Sequence, residues 1–155
     1  MTLQLGELLY RFKYRNDRAA LPKILRLCND YLLRHAPGRF EIVLPVPPSN
    51  PARIVTRCIA QGIAAGLGLS YSDTALTKIR NTSALKSVAD PETRKDLLRD
   101  AFRVDERQVA ANTVLLVDDV YRSGATLESA AESVIEQGSP QALYVLALTR
   151  TRVHR

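Results

Sequence analysis

The chain has 155 residues, 46% hydrophobic and 25% charged, which is enough for one domain with one sizeable core and too short for two comfortable ones. Lys and Arg number 22 against 16 Asp and Glu, and the resulting formal charge of +6 suits an anionic partner, either nucleic acid or a small polyphosphate. Two cysteines in apolar helical patterns, Cys28 and Cys58, make no disulfide framework, the absence of Cys-x-x-Cys excludes a zinc ribbon, and no stretch reaches transmembrane length.

Residues 1–10 contain Glu7 and lack the basic and apolar regions of a signal peptide, so the expected compartment is the cytoplasm. Leu5, Leu8, Leu9 and Phe12 recur at helical spacing and predict a helix over 3–12. A basic, aromatic stretch follows, with Arg11, Lys13, Arg15 and Arg18. Its plain reading is a solvated helix end, and its functional reading a hood over an acceptor pocket or a nucleic-acid patch. Tyr10, Phe12 and Tyr14 alternate with these charges and are expected at a core edge, although base stacking uses the same arrangement. Asp17 is expected to cap a second helix to about His35, with Pro22 in its first turns. Ala20, Ile24, Leu27, Cys28 and Tyr31 share one face, and Pro37-Gly38 ends the helix. Residues 1–38 are thus expected to form a helical hood, and 39–150 the core, of a single domain spanning 1–155.

The apolar run Phe40 to Val46 predicts a buried strand, followed by a loop through Pro47, Pro48, Ser49, Asn50 and Pro51. Asn50 or Ser49 is expected to cap a helix that starts at Pro51, runs to about Leu67 and is stopped by Gly66 and Gly68. A strand is expected over Ala75 to Ile79, then a polar, basic loop from Arg80 to Ala89. Asp90 caps the next helix with Pro91 at its first position, and Ala101 to Val104 forms a short strand. The β-branched, unalternating run Thr113 to Val117 predicts a strand buried on both faces, with two aspartates following at once. A turn at Gly124 leads to Thr126 as cap of a helix from Leu127 to Gln137, ended by Gly138. Ala142 to Leu148 is expected to be another fully buried strand. His35 and His154 stand alone and read as solvated, and Arg150, Arg152 and Arg155 as solubilising charge. Strands alternating with helices imply an α/β fold with a mostly parallel twisted sheet flanked by helices.

The chemistry concentrates in Val114-Leu115-Leu116-Val117-Asp118-Asp119-Val120-Tyr121-Arg122-Ser123-Gly124-Ala125-Thr126. A strand here delivers its end to the carboxyl edge of a parallel sheet, where open α/β folds bind ligands. The following helix start offers free amides and the positive end of its dipole to an anion. Gly124 allows close backbone approach or positive φ. Ser123 and Thr126 add hydroxyls. Asp118 and Asp119 are unsuited to hold a phosphate but accept hydrogen bonds from a vicinal diol, or approach magnesium. A phosphate at one end and a diol at the other describe ribose 5-phosphate. A triphosphate-binding Gly-Lys-Ser/Thr loop, a Gly-x-Gly-x-x-Gly turn and a Gly-x-Ser-x-Gly elbow are all absent.

The segment VLLVDDVYRSGAT closely resembles the phosphoribosyl pyrophosphate (PRPP) signature of the type I phosphoribosyltransferases. From about Leu5 to Leu148 the chain resembles the ComF-type branch of that family, linked to DNA uptake, through YRFKYRNDR, LPVPPS, TKIRNTSALKS and ETRKDLLRDAFRV. The resemblance implies that Asp118 and Asp119 hold the ribose hydroxyls, and that Ser123, Gly124, Ala125 and Thr126, with Tyr121 and Arg122 in the same loop, hold the 5-phosphate. It places Pro47, Pro48 and Ser49 against the pyrophosphate, makes the stretch with Lys78, Arg80 and Lys86 a lid, and matches Arg94 to an arginine beside that lid. It implies Mg2+ carried mainly by the substrate, with Asp118 and Asp119 as possible ligands. The implied partners are PRPP and a nitrogen nucleophile that displaces pyrophosphate, with a homodimer open and no membrane. Departures are the lack of an N-terminal cysteine cluster, Arg122 where a small hydroxyl residue is usual, Arg57-Cys58-Ile59-Ala60-Gln61 in place of Arg-Gly-Phe-Asn-Gln, and Leu85 near the place of a glutamine. These departures motivate a second reading, a non-catalytic PRPP- or nucleotide-binding protein or an accessory of DNA uptake.

Overall fold

The computed structural model describes residues 2–36, 38–81 and 87–151. Two helices open the chain, α1 (Thr2–Tyr14) and α2 (Ala20–His35). They are followed by β1 (Ile42–Pro45), α3 (Val55–Leu67), β2 (Ser70–Tyr71) and β3 (Leu76–Lys78). Then come α4 (Pro91–Arg99), β4 (Phe102–Val104), α5 (Glu106–Val109), β5 (Thr113–Tyr121), α6 (Ala125–Gly138) and β6 (Ala142–Arg150). Strands β2-β1-β5-β6 form one sheet, every pair parallel, while β3 and β4 form a separate antiparallel pair. The expected α/β architecture with a mostly parallel sheet is what the chain adopts.

Residues alternate across a strand, and β5 sorts its side chains between two cores accordingly. Leu115 and Val117 join Val43 in a cluster with α1, α2 and α3. Val114 and Leu116 join Ile42 and Leu44 in a cluster with α6 and the β3–β4 pair. Each of these β1 and β5 side chains is buried, as an unalternating apolar run requires of a central parallel strand.

Several elements differ from the sequence reading. β5 does not end at Val117: β6 continues to pair beside it, Asp118 opposite Ala147 and Tyr121 opposite Arg150, so the aspartates lie on the strand itself. β6 is an edge strand and only Leu148 in it is buried, because among the described residues nothing pairs on its far side. α3 starts at Val55, since Pro51 belongs to a turn in which Asn50 Oδ1 accepts from the Ala52 amide at 3.0 Å. Gly66 lies inside α3, where an added Cβ would meet Asn29 of α2 at 2.2 Å, and Gly68 at φ 68° ends the helix. α6 is capped by Gly124, not Thr126, and Gly138 lies within its last turn, ahead of a Ser139 cap at φ 49°. Asp17 braces the turn before α2, its Oδ1 accepting from Ala19, whose backbone takes the cap position. Tyr10 and Tyr14 are exposed and face each other at 5.3 Å, rather than forming a core edge. The two-residue β2 and the one-turn α5 are too short to leave a periodicity in sequence. Cys28 is buried, which pushes its thiol up to about 11, and Cys58 is half-buried. Pro37, Leu85, Arg152, His154 and Arg155 lie outside the described residues.

Candidate functional site

The site follows from a mismatch in strand length. β1 pairs with β5 as far as Pro45 opposite Val117, and the Val46 amide then donates to the Val117 carbonyl at 2.8 Å. There β1 leaves the sheet into the Pro47-Pro48-Ser49 loop, because successive prolines cannot donate to a ladder. β5 runs on to Tyr121. Beyond Val117 its β1 side is therefore open, and Asp118 and Asp119 stand in the notch at the carboxyl edge, where a parallel sheet offers its ligand crevice.

The notch is part of a cavity of about 790 Å³, within the range of small-ligand sites. Asp118, Asp119, Arg122, Ser123, Ala125 and Thr126 line it from the β5–α6 side. Pro47, Pro48 and Ser49 of the loop after β1 and Arg94 of α4 also line it. Of the expected site residues, these ten are brought together. Gly124 supports the cavity from behind. It sits at φ 82° and its missing Cβ leaves room for Tyr121, whose hydroxyl would lie 2.3 Å from such an atom. The Tyr121 ring packs into the second core with Arg150 stacked on it at 5.7 Å, so its side chain braces the turn rather than facing the cavity. Lys78 stands outside the lining but its Nζ donates to Ser49 Oγ at 3.1 Å. Arg80 is exposed and does not line the cavity, and Lys86 lies outside the described residues.

Lining residues that the sequence does not mark individually as cavity contacts include Lys13, Arg53, Thr56 and Asn81. Arg53 is delivered by the turn at 50–53, where its amide donates to the Asn50 carbonyl at 3.0 Å. Lys13 comes from the last turn of α1 and forms an ion pair with Asp119, both side chains mostly buried. In sequence Lys13 belongs to a basic stretch that reads either as a solvated helix end or as a hood over an acceptor pocket or a nucleic-acid patch. Its arrival at the site depends on how α1 docks, which no local pattern encodes.

Burial first, then the neighbouring Asp119 charge, push the Asp118 carboxyl up to about 7. Its Oδ1 accepts from the Asp119 amide at 2.9 Å. Burial lowers the Lys78 ammonium, and nearby Asp118 pulls it back up. Arg94 Nη2 donates to the Val88 carbonyl at 2.7 Å, while its buried Nε has no partner among the described residues. As N-cap, Gly124 offers no side chain to the α6 amides, and Ser123 Oγ reaches only the Ala125 amide, at 3.4 Å. The cavity thus presents four cationic side chains, Lys13, Arg53, Arg94 and Arg122, against the two carboxylates. An excess of positive charge, an uncapped helix start and an orphaned buried donor together suit a polyanion.

Comparison with solved structures decides the fold. An adenine phosphoribosyltransferase from Thermoanaerobacter pseudethanolicus superposes with a TM-score of 0.56 at 13% identity, over 87% of this chain and 70% of that one. The glutamine PRPP amidotransferase of B. subtilis, solved with ADP and GMP, gives a TM-score of 0.55 at 18% identity, over 80% of this chain and 26% of that one. The chain has the type I phosphoribosyltransferase fold. Within that fold it resembles the ComF branch. Competence protein ComFC of Bacillus subtilis (strain 168) is 23% identical over 154 residues. That alignment covers 94% of this chain and 59% of ComFC, so the chain spans about three-fifths of the curated relative it matches. No protein-family model matches the chain. No helix among the described residues is long and apolar enough to cross a membrane.

Proposed function

We propose that the cavity binds PRPP, with the ribose at Asp118 and Asp119, the 5-phosphate at Ser123 to Thr126, and the pyrophosphate between the Pro47-Pro48-Ser49 loop, Arg53 and Arg94. The observation that carries this reading is a single cavity bounded by the acid pair on one strand and by the uncapped start of the following helix. The separation of anion site from diol acceptors is what a sugar phosphate requires. The Arg94 Nε, buried and orphaned, is the kind of donor that a pyrophosphate oxygen satisfies.

No group of three or more His, Cys, Asp or Glu side chains that could hold a metal occurs among the described residues. Two carboxylates, one of them paired with Lys13, are too few for an all-protein magnesium cage. They fit an ion held mainly by ligand oxygens and water. Asp118 and Asp119 would hold that ion from the ribose side, and it would offset charge on the departing pyrophosphate.

The reaction we propose is displacement of pyrophosphate from C1 by a nitrogen nucleophile of nucleobase type. Such a transfer asks the protein for orientation and fixed charge more than for covalent chemistry. The acid pair would fix the ring, the α6 amides would anchor its phosphate, and the arginines would hold the leaving group. A soluble, cytoplasmic setting fits this proposal. The likeness to ComFC favours a second reading, a PRPP-responsive accessory of DNA uptake without turnover.

Thermal melting with PRPP and magnesium tests binding. The wild type is expected to melt higher by mass action, and Asp118→Asn/Asp119→Asn not at all. If both proteins ignore PRPP, the proposal fails. Pyrophosphate release against a panel of nucleobases then separates transferase from accessory.

A further inference from the structure

Lys13 lies far from the β5 signature in sequence, yet its ammonium meets Asp119 inside the cavity. Alternation along β5 explains the pairing. Asp119 continues the face of Leu115 and Val117, the face on which α1 and α2 pack, so the end of α1 overhangs it. Among the described residues this ion pair is the most enclosed: its side chains are 14% and 15% exposed, against 43% and 22% for Arg11 with Asp17. The end of α1 is also held in place. The Arg11 carbonyl accepts from the Arg15 and Asp17 amides at 3.0 and 3.2 Å, Asn16 turns the chain at φ 51°, and the Arg11 guanidinium pairs with Asp17.

A carboxylate pair is a poor neighbour for a ligand with several phosphate charges unless one acid is balanced. Of the cations that line the cavity, Lys13 is the one paired with Asp119; Arg53, Arg94 and Arg122 line the same cavity. We propose that Lys13 is a specificity-determining residue. Its ammonium neutralises Asp119, so that a sugar carrying both a phosphate and a pyrophosphate lies beside the acid pair, and α1 is thereby part of the ligand site. The proposal rests on the reading of the cavity as a PRPP site.

Calorimetric titration with magnesium, using PRPP and ribose 5-phosphate as probes, tests it. Lys13→Met is expected to weaken PRPP on the order of 30-fold and ribose 5-phosphate by less than about 5-fold, with Lys13→Arg within roughly 3-fold of wild type. Equal losses for both probes mark Lys13 as merely structural and overturn the proposal, as does no loss. Wild-type protein that binds neither probe overturns the underlying PRPP reading as well, whereas a binding wild type with an unaffected Lys13→Met overturns this proposal alone. Should Lys13→Met fail to fold, amide exchange of the wild type decides. Saturating PRPP is expected to slow exchange over residues 11–18, and unchanged exchange there sinks the proposal.

Discussion

The β5–α6 corner and the α1–α2 pair meet at one ion pair but are held in different ways. The corner is a backbone construction. β5 is hydrogen-bonded to β6 up to its last residue, Gly124 takes a left-handed conformation, and Tyr121 fills the space that a side chain at Gly124 would need. The α1–α2 pair is an apolar construction, with Leu5, Leu8, Leu9, Ile24, Cys28 and Leu32 buried against α3 and the sheet. Backbone geometry admits few substitutes, so damage at the corner should be abrupt. Apolar packing gives way by degrees, so damage to α1 should be graded and separable from the corner.

The largest effect should therefore come from the corner. Gly124→Val combines a β-branched side chain at φ 82° with a clash against the Tyr121 ring. A cost of about 4 kcal/mol is expected, together with complete loss of the PRPP-induced rise in melting temperature. Denaturant titration of the two proteins checks the first part and thermal melting the second. Wild-type stability in the variant would mean that the corner is not braced as described.

Leu9→Ala tests the other region. Leu9 is 3% exposed in the core shared by α1 and α2, and its truncation should cost about 3 kcal/mol. Because the corner is independent, the variant should still respond to PRPP, with weakened affinity through a loosened Lys13. Proteolysis confined to residues before Phe40 would sharpen the comparison, while simultaneous loss of both regions would break it.

How much of this was legible in sequence follows the same division. The corner was readable because its determinants are contiguous: an apolar run, two acids, a glycine and hydroxyls. The apolar run ends at Val117, and only pairing with β6 carries the strand on through Asp118 and Asp119 to Tyr121. The open notch that makes the site depends on where β1 stops, and Pro47-Pro48 announced that. A hood is one reading of the stretch with Lys13, but its pairing with Asp119 depends on how α1 docks, and the place of Arg53 depends on a turn at Asn50 that resembles a helix cap in sequence. Tyr10 and Tyr14 are exposed, and their alternation with charge fits an exposed helix face as well as a buried edge.

Within the corner, Asp118 should respond to pH. The Asp118 carboxyl rises from 3.8 to about 7, so between those values the folded chain keeps a proton that the unfolded chain releases. Metal-free stability should fall as pH rises through that window, by up to about 4 kcal/mol. Asp118→Asn keeps an acceptor for the Asp119 amide while removing the charge. It should flatten the pH dependence and be the more stable protein at pH 8. Chemical denaturation at several pH values measures this, and an Asn variant that keeps the wild-type slope would place the titration elsewhere.

The smallest effect belongs to the turn between α1 and α2. Asp17 pairs with Arg11 and accepts from the Ala19 amide, and its side chain is 22% exposed. Partly exposed ion pairs and single caps each contribute little, so Asp17→Ala should cost about 1 kcal/mol. Its diagnostic value lies in what it leaves intact. α1 keeps its buried leucines and the corner keeps its backbone, so only the end of α1 is freed. If Lys13 reaches Asp119 because that end is clamped, Asp17→Ala should weaken PRPP several-fold while leaving the melting temperature within a few degrees. Asp17→Asn, which retains the acceptor for Ala19 but not the charge, should fall between the two. Unchanged affinity in both variants would mean that the Lys13–Asp119 contact itself holds the end of α1, with the Arg11–Asp17 pair following from it.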